Sequence, residues 1–296
     1  MSVLRVGTRG SELALWQADW VCRRLREAHP SLVLEQVVIR THGDEAADRN
    51  FGPDWPVGAF VSALEHALIE ESIDLAVHSC KDLPTKLTEG LSIAATPARD
   101  VPHDVLLTKS GLPLEDLPPR ARIGTNSPRR AAQMLRLGDF EIVPIRGNVP
   151  TRIARLDRDE LDGIVLAAAG LKRLGINYPH VIELPADRFL PAPGQGALAV
   201  QAREGSEVWS LALAIDHLPT RNAVTAERSF LREMNAGCHT PAGALALWEA
   251  GTLSLRARLF SEDYSMDVEG VDSGPDPESV GARLARRLVS DLRALR

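Results

Sequence analysis

The chain has 296 residues, of which 44% are hydrophobic and 25% are charged. This composition is typical of a folded globular protein and excludes a disordered one, and the length predicts two or three domains with their own cores. The formal net charge of −6 disfavours a general nucleic-acid binder, because such a protein has to neutralise many phosphates.

The N-terminal residues carry no basic region followed by a long apolar run, and no later segment approaches the apolar length of a membrane helix. We therefore expect a cytoplasmic enzyme or binding protein without a membrane partner. The three cysteines Cys22, Cys80 and Cys238 are far apart and odd in number, which favours free thiols in a reducing compartment. No HExxH or C-x-x-C spacing occurs, so we predict no metal site.

Strand-like and helical patterns alternate through the first part of the chain. The strand LRVGT precedes a helix over about Glu12 to Ala28, and the strand LVLEQVVIRT precedes a helix over about Ala59 to Glu70. The strand IDLAVHS follows. This βαβαβ order predicts a mostly parallel sheet with helices on both faces.

A second set of alternating elements follows the proline-marked stretch from Thr96 to Pro102. Its helices are predicted over Pro128 to Leu137 and near Pro150 to Leu156, among the strands DVLLTKSG, ARIGT, FEIVPIRG and GIVLAAAG. After PAPGQG, the strand ALAVQAR could return to the first unit. A chain that leaves one lobe and comes back predicts two α/β lobes joined by a hinge, with a ligand cleft between them.

From Pro219 onward the pattern changes to that of a small α+β domain. It contains a helix over Val224 to Met234, alternating strands such as Thr252 to Phe260, and an amphipathic helix from about Glu278 to Leu295. We therefore predict a first lobe at 1–97 with 197–216, a second lobe at 102–192, and a C-terminal domain at 219–296.

One phrase recurs where a strand leads into a helix. Val6–Ser11 reads VGTRGS and Ile123–Pro128 reads IGTNSP, and in each a serine or asparagine can cap the helix. One capped turn is typical of any α/β protein. Two copies, with Arg9 beside the first and Arg129 and Arg130 in the second, favour acidic ligands, because free N–H groups at a helix N-terminus bind anions.

Eight motifs occur in one order along nearly the whole chain. They are GTRGSELALWQA (7–18), DLAVHSCKDLPT (74–85), GTNSPRR (124–130), RGNVPTR (146–152), LAAAGLKRLG (166–175), LPAPGQGALAV (190–200), VTAER (224–228) and GCHTP (237–241). Together they resemble the porphobilinogen deaminase family. The resemblance implies two periplasmic-binding-protein-like α/β lobes with a hinge and a small C-terminal α+β domain.

The resemblance also implies a transferase of porphyrin (haem) biosynthesis, a hydroxymethylbilane synthase. Such an enzyme condenses four porphobilinogen molecules head to tail, releases ammonia at each step, and finally releases a linear tetrapyrrole by adding water. The resemblance implies a dipyrromethane cofactor, joined to Cys238 through a thioether. It further implies a monomer whose partner is the small-molecule substrate, with no nucleic acid.

The resemblance assigns roles to individual residues. Porphobilinogen carries two carboxylates, so a series of arginines is the expected counterpart. Expected cofactor-binding residues are Cys238, Lys81, Asp82, Thr125, Ser127, Arg129, Arg130 and Arg146. Expected substrate-binding residues are Arg9, Ser11, Arg146, Arg152, Arg173 and Gln195. An arginine outside a motif is better interpreted as a solvated surface charge, since 30 of the 34 basic residues are arginines.

Asp82 is the predicted catalytic residue. It follows the strand IDLAV at its carboxyl end, where open parallel sheets place ligands. Loss of ammonia from porphobilinogen leaves positive charge at the pyrrole nitrogen. A fixed carboxylate would stabilise that charge and could relay the proton removed when the new bond forms. Without the surrounding motif, a Lys–Asp pair in an exposed turn would be the simpler interpretation.

The chain departs from the family pattern between Asp44 and Phe60, where the family carries a lysine- and glycine-rich lid. Here Trp55 lies between two prolines and the lysine is missing, which predicts a stiffer lid over residues 45–58. Two further changes are smaller. The family's Ser-Ser pair is Asn126-Ser127, and an expected arginine is His103, a change that we expect to weaken the binding of one carboxylate.

Three other classes of protein stay open. A two-lobed solute-binding protein would bind an anionic ligand without catalysis, but such proteins usually carry an export signal. The effector-sensing half of a transcription regulator would need a helix-turn-helix segment, which cannot be placed before Val3. A structural interaction protein would not need so many ligand-binding motifs.

Overall fold

The computed structural model describes residues 3–39, 59–234 and 240–295. The chain divides into two compact units, one formed by Met1–Asp100 with Ala197–Asn222 and the other by Val101–Gly196 with Ala223–Arg296. The boundaries of the three predicted domains stay a prediction. Within the described ranges, no helix is long and apolar enough to cross a membrane.

Helices and strands alternate along the chain much as the sequence predicts. In chain order they are β1 (Leu4–Thr8), α1 (Glu12–Ala28), β2 (Leu34–Val38), α2 (Ala59–Ile69), β3 (Leu75–Ser79), β4 (Leu91–Ala95), β5 (Asp104–Thr108), β6 (Ala121–Gly124), α3 (Pro128–Leu137), β7 (Phe140–Val143), α4 (Val149–Arg158), β8 (Gly163–Ala167), α5 (Ala168–Leu174), β9 (Val181–Leu184), β10 (Leu198–Arg203), α6 (Glu207–Ala212), α7 (Leu218–Glu233), β11 (Ala242–Glu249), β12 (Thr252–Phe260), β13 (Asp267–Gly274) and α8 (Pro277–Ala294).

The first unit is built on a five-stranded sheet with the strand order β2-β1-β3-β10-β4. Strand β10 is antiparallel to β3 and β4, and the other four strands run in one direction. The predicted return of ALAVQAR to the first unit is therefore confirmed. Helix α1 packs on this sheet through the buried side chains of Val21, Cys22 and Leu25, which share a core with Val6 and Val200.

The second unit contains a five-stranded sheet of equivalent order, β7-β6-β8-β5-β9. Here β5 is the strand antiparallel to both of its neighbours. Strand β6 therefore occupies the place that β1 has in the first sheet, and β8 the place of β3. Two sheets of the same topology confirm the predicted α/β class.

The C-terminal part of the second unit is an antiparallel sheet, β11-β12-β13, packed with α7 and α8 around one core. Side chains of β12 alternate between the core and the outside. Leu253, Leu255 and Ala257 are buried, whereas the residues between them are not, so one face of the sheet is apolar. Gly281 of α8 lies against α7 so closely that a Cβ there would be 2.3 Å from the Ala226 carbonyl oxygen. The predicted small α+β part is confirmed.

Candidate active site

The turn after β1 joins a buried strand to the N-terminus of a long helix. Ser11 caps α1, since its Oγ accepts the Ala14 N–H at 3.4 Å. The Thr8 hydroxyl donates to the Ala14 carbonyl oxygen at 3.0 Å, which ties the end of the strand to the first turn of the helix. Arg9 lies between them and is partly exposed. The predicted Gly-Thr turn with a serine cap is confirmed.

The equivalent turn after β6 has the same construction. Ser127 caps α3 and accepts the Arg130 N–H at 3.5 Å, while Thr125 Oγ1 accepts the Ser127 N–H at 3.2 Å. Pro128 is the first residue of the helix, where its missing N–H costs no hydrogen bond. The positive end of the helix dipole therefore faces the space beyond β6.

Arg129 and Arg130 follow this turn but are buried, with only 4% and 6% of their surface exposed. Both donate to the carboxylate of Asp104, Arg129 through Nη1 to Oδ2 at 2.7 Å and Arg130 through Nη2 to Oδ1 at 2.7 Å. We call these three residues the Asp104 cluster. Two cations and one carboxylate give it a formal charge of +1. Burial lowers the pKa of the Arg129 guanidinium, and the neighbouring Asp104 opposes that change.

The turn formed by residues 193–196 connects the Asp104 cluster to a third arginine. Gly194 and Gly196 have φ values of +75° and +84°, a region that glycine enters without strain. Gln195 is buried and donates to Asp104 Oδ1 at 3.0 Å, and Arg173 Nη2 donates to the Gly196 carbonyl oxygen at 2.6 Å. Gln195, predicted to bind substrate, is thus hydrogen-bonded to protein groups.

A second helix N-terminus lies beyond β7. Asn148 caps α4 by accepting the Thr151 N–H at 2.9 Å, and Gly147 takes φ +113°. The Arg152 Nε donates to the Gly147 carbonyl oxygen at 2.7 Å, which holds that side chain over the turn. Arg146 is exposed and can therefore reach an acidic ligand directly.

The segment after β3 presents Lys81 and Asp82 in one turn of 3₁₀-helix, Cys80–Asp82. Cys80 is buried, and its N–H donates to the Ala197 carbonyl oxygen at 3.0 Å, which anchors the turn to the strand that follows. The Asp82 side chain is exposed and Lys81 is partly exposed. The residues with the ammonium and the carboxylate group thus follow one another on an anchored turn.

Each unit gathers its own set of predicted residues at the carboxyl ends of neighbouring parallel strands. In the first unit these are Arg9 and Ser11 after β1 and Lys81 and Asp82 after β3. In the second unit they are Thr125, Ser127, Arg129 and Arg130 after β6, and Arg146 and Arg152 after β7. Arg173 lies near the end of α5, the helix that follows β8. Cys238 and the predicted lid at 45–58 lie outside the described residues.

Two models of protein families cover nearly the whole chain. Residues 4–210 match "Porphobilinogen deaminase, dipyromethane cofactor binding domain", and residues 222–290 match "Porphobilinogen deaminase, C-terminal domain". The chain belongs to the porphobilinogen deaminase family. The predicted family is thereby confirmed, and with it the enzyme class.

Curated porphobilinogen deaminases resemble the chain along nearly its full length. The one from Desulforudis audaxviator is 46% identical over 288 residues, which cover 96% of this chain and 93% of the relative. The one from Thermus thermophilus is 45% identical over 296 residues, which cover 98% of this chain and 96% of the relative. Both domains of the family are therefore present.

A dipyrromethane cofactor, named in the description of the first family model, fits the donor set of the second unit. Its acetate and propionate groups need cations and N–H donors, and the second unit offers the capped N-termini of α3 and α4, the exposed Arg146 and a cluster with a net positive charge. Among the described residues, no three histidine, cysteine or acidic side chains are grouped so that they could hold a metal ion.

Two residues of the site are not predicted by the sequence motifs. Asp104 binds both buried arginines, although in the sequence it is only the first residue of a strand. Glu227 is fully buried on α7. It lies inside the motif VTAER, where a carboxylate among apolar helix positions is the signal that could have found it.

Proposed function

We propose that the chain is a hydroxymethylbilane synthase that joins four porphobilinogen molecules into a linear tetrapyrrole. The observation that carries the proposal is the match of both domains of the porphobilinogen deaminase family to one chain that has Cys238 and Asp82 in the family's motifs. The alternative, a solute-binding protein without catalysis, is not favoured by relatives that are named deaminases.

Asp82 is the proposed catalytic carboxylate. Each condensation releases ammonia from the substrate, forms a bond between two pyrrole units and removes one proton. The exposed Asp82 side chain on its anchored turn is accessible to a pyrrole N–H. There it stabilises the positive charge that develops when ammonia leaves, and it accepts the proton that is released.

The cationic residues bind the carboxylates of substrate and cofactor in this proposal. Arg146 is exposed and forms ion pairs directly, while Arg9, Arg152 and Lys81 are partly exposed. The Asp104 cluster acts through its net charge and through the helix N-terminus that carries it, where N–H groups and the dipole attract anions. Thr125 and Ser127 shape that N-terminus, and Arg173 fixes the neighbouring turn at 193–196.

The bound dipyrromethane supplies the pyrrole to which the first substrate unit is joined. The residue that we propose to hold it is Cys238, because Cys22 and Cys80 are both buried, and a buried thiol is a poor nucleophile. We further propose that the enzyme works as a cytoplasmic monomer, with porphobilinogen as its partner and without nucleic acid.

The intact mass of the protein purified under reducing conditions tests the proposal, followed by mapping of the peptide that contains residues 237–242. We expect a mass above that of the bare chain by one dipyrromethane, located on Cys238. The Cys238→Ser variant should have the bare mass, whereas the Cys22→Ala variant should still carry the added group. A Cys238 thiol that stays unmodified after incubation with porphobilinogen would overturn the proposal.

A further inference from the structure

Glu227 is a carboxylate with 0% of its surface exposed, and no role follows for it from the reaction described above. The Gly194 N–H donates to its Oε2 at 2.6 Å, and the Ala246 N–H donates to its Oε1 at 2.8 Å. From α7, one side chain thus binds the backbone of the 193–196 turn and the backbone of β11.

The turn that Glu227 holds is the one that positions the buried arginines. Gln195, next to Gly194, donates to Asp104, and the Gly196 carbonyl oxygen accepts from Arg173. A shift of this turn would therefore move Arg173 directly and the Asp104 cluster through Gln195. Gly194, which Glu227 binds, is one residue from the first of these connections and two residues from the second.

Glu227 lies on α7 and binds β11, and these two elements flank the proposed cofactor residue in the sequence. Helix α7 ends at Glu233 and β11 begins at Ala242, with Cys238 between them. Strand β11 lies against the segment before the turn as well, because the Ala244 N–H donates to the Pro191 carbonyl oxygen at 3.0 Å. Through its hydrogen bonds to Gly194 and Ala246, the Glu227 carboxylate forms a second link between β11 and the segment of residues 191–196.

A carboxylate suits this position because each of its oxygens can accept one N–H. Glutamine has a single acceptor oxygen and an NH₂ group that cannot accept, so one of the two amides would lose its partner. A buried carboxylate is costly unless such hydrogen bonds compensate for its lost hydration. The Glu227 carboxylate is not needed to fill the core, so we interpret its burial as a means of fixing the two backbone segments that it binds.

We propose that Glu227 is a positioning residue, which sets the place of the 193–196 turn, and with it Arg173 and the Asp104 cluster, relative to the strand that follows Cys238. The inference rests on the proposed hydroxymethylbilane synthase activity. Its consequence is that loss of the carboxylate slows the condensation steps more than it weakens the capture of porphobilinogen.

The test compares Glu227→Gln with Glu233→Gln, the same change near the end of the same helix. The Glu233 side chain is 34% exposed and forms a surface ion pair with Arg286. We expect Glu227→Gln to carry the dipyrromethane mass but to lose at least tenfold in kcat, with KM for porphobilinogen changed less than threefold. Hydrogen exchange should be faster in peptides that contain Gly194 and Ala246. Glu233→Gln should match the wild type in all of these.

Glu227→Asp keeps the charge and both acceptors on a shorter side chain, so its kcat should lie between those of wild type and Glu227→Gln. If Glu227→Gln does not fold, Glu227→Asp decides the question. Faster exchange at Gly194 and Ala246 with a wild-type kcat would overturn the inference. A wild-type protein that neither carries dipyrromethane nor consumes porphobilinogen would instead overturn the proposed function, whatever the variants do.

Discussion

The carboxylate of Asp104 and the guanidinium of Arg130 form a buried ion pair, in which Oδ1 accepts from Nη2 at 2.7 Å and from Nε at 3.1 Å. The other carboxylate oxygen accepts from Arg129. The same aspartate thus fixes two side chains that begin helix α3. It also reduces the repulsion between two cations placed side by side on that helix.

Replacing Asp104 with asparagine should destabilise the protein strongly. The change leaves two buried guanidinium groups without the carboxylate that they share, and breaking a buried ion pair in this way costs about 3–5 kcal/mol. Urea unfolding followed by circular dichroism measures the free energy of unfolding. The control is Asp19→Asn, which removes an exposed pair with Arg23 and should cost about 0.5 kcal/mol. Equal losses in the two variants would contradict the prediction.

Asp82→Asn should remove activity without removing stability. An exposed carboxylate contributes little to folding, so the free energy of unfolding should stay within about 0.5 kcal/mol of the wild-type value. Losing a general acid–base group lowers kcat by about 10²–10⁴-fold. Steady-state formation of the tetrapyrrole measures this, with Glu89→Gln, an exposed change in the same stretch, as control. A kcat for Asp82→Asn equal to that of Glu89→Gln would rule out the assigned role.

The sequence predicts some elements to the residue and misses others, and the length of each element and its pattern of burial explain most of the difference. The predicted bounds of α1 and α3 match the structure because Ser11 and Ser127 mark where each helix begins. Strand β9 was missed since it has four residues of which only one is buried. Helix α6 has six residues, too few for a helical period to show in the sequence.

Individual contacts in the site are also harder to predict from the sequence than the motifs themselves. The arginines after β6 could be found from their motif, but their partner Asp104 lies 25 residues earlier and is brought to them by the pairing of β5 with β8. Gln195 is predicted to bind substrate, and its side chain donates to Asp104 and to the Pro102 carbonyl oxygen, two contacts that no motif indicates. Such contacts depend on the packed tertiary structure, which no local pattern contains.

Gly281→Ala and Gly170→Ala should change stability in opposite directions. A Cβ at position 281 would lie 2.3 Å from the Ala226 oxygen and 2.8 Å from the Phe230 nitrogen, both backbone atoms of α7. We expect a loss of about 1–3 kcal/mol, as for other overpacked cores. At position 170 in α5 the nearest atom is a methyl group of Val149 at 3.5 Å, so alanine should stabilise the helix by up to about 1 kcal/mol. Thermal unfolding measures both, and changes of the same sign would contradict this account of the contacts.

Cys22 lies in the core between α1 and the first sheet, and burial raises the pKa of its thiol to about 11. In an unfolded chain a thiol has a pKa of about 8.5. The folded value is the higher one, so the fold favours the neutral thiol. The contribution of this thiol to stability is complete below about pH 8.5, and it is lost as the pH rises towards about 11.

Comparing wild type with Cys22→Ala at several pH values isolates this effect, because the lysines and tyrosines that titrate in the same range are common to both proteins. At pH 7.5 the wild type should be the more stable, since alanine leaves a small cavity beside Val21 and Leu25. Its advantage should shrink as the pH is raised to 10.5, because the unfolded wild-type chain releases a thiol proton that the folded one keeps. Urea unfolding at each pH measures the difference, and a difference that stays constant over this range would show that the Cys22 thiol ionises as readily in the folded protein as in the unfolded chain.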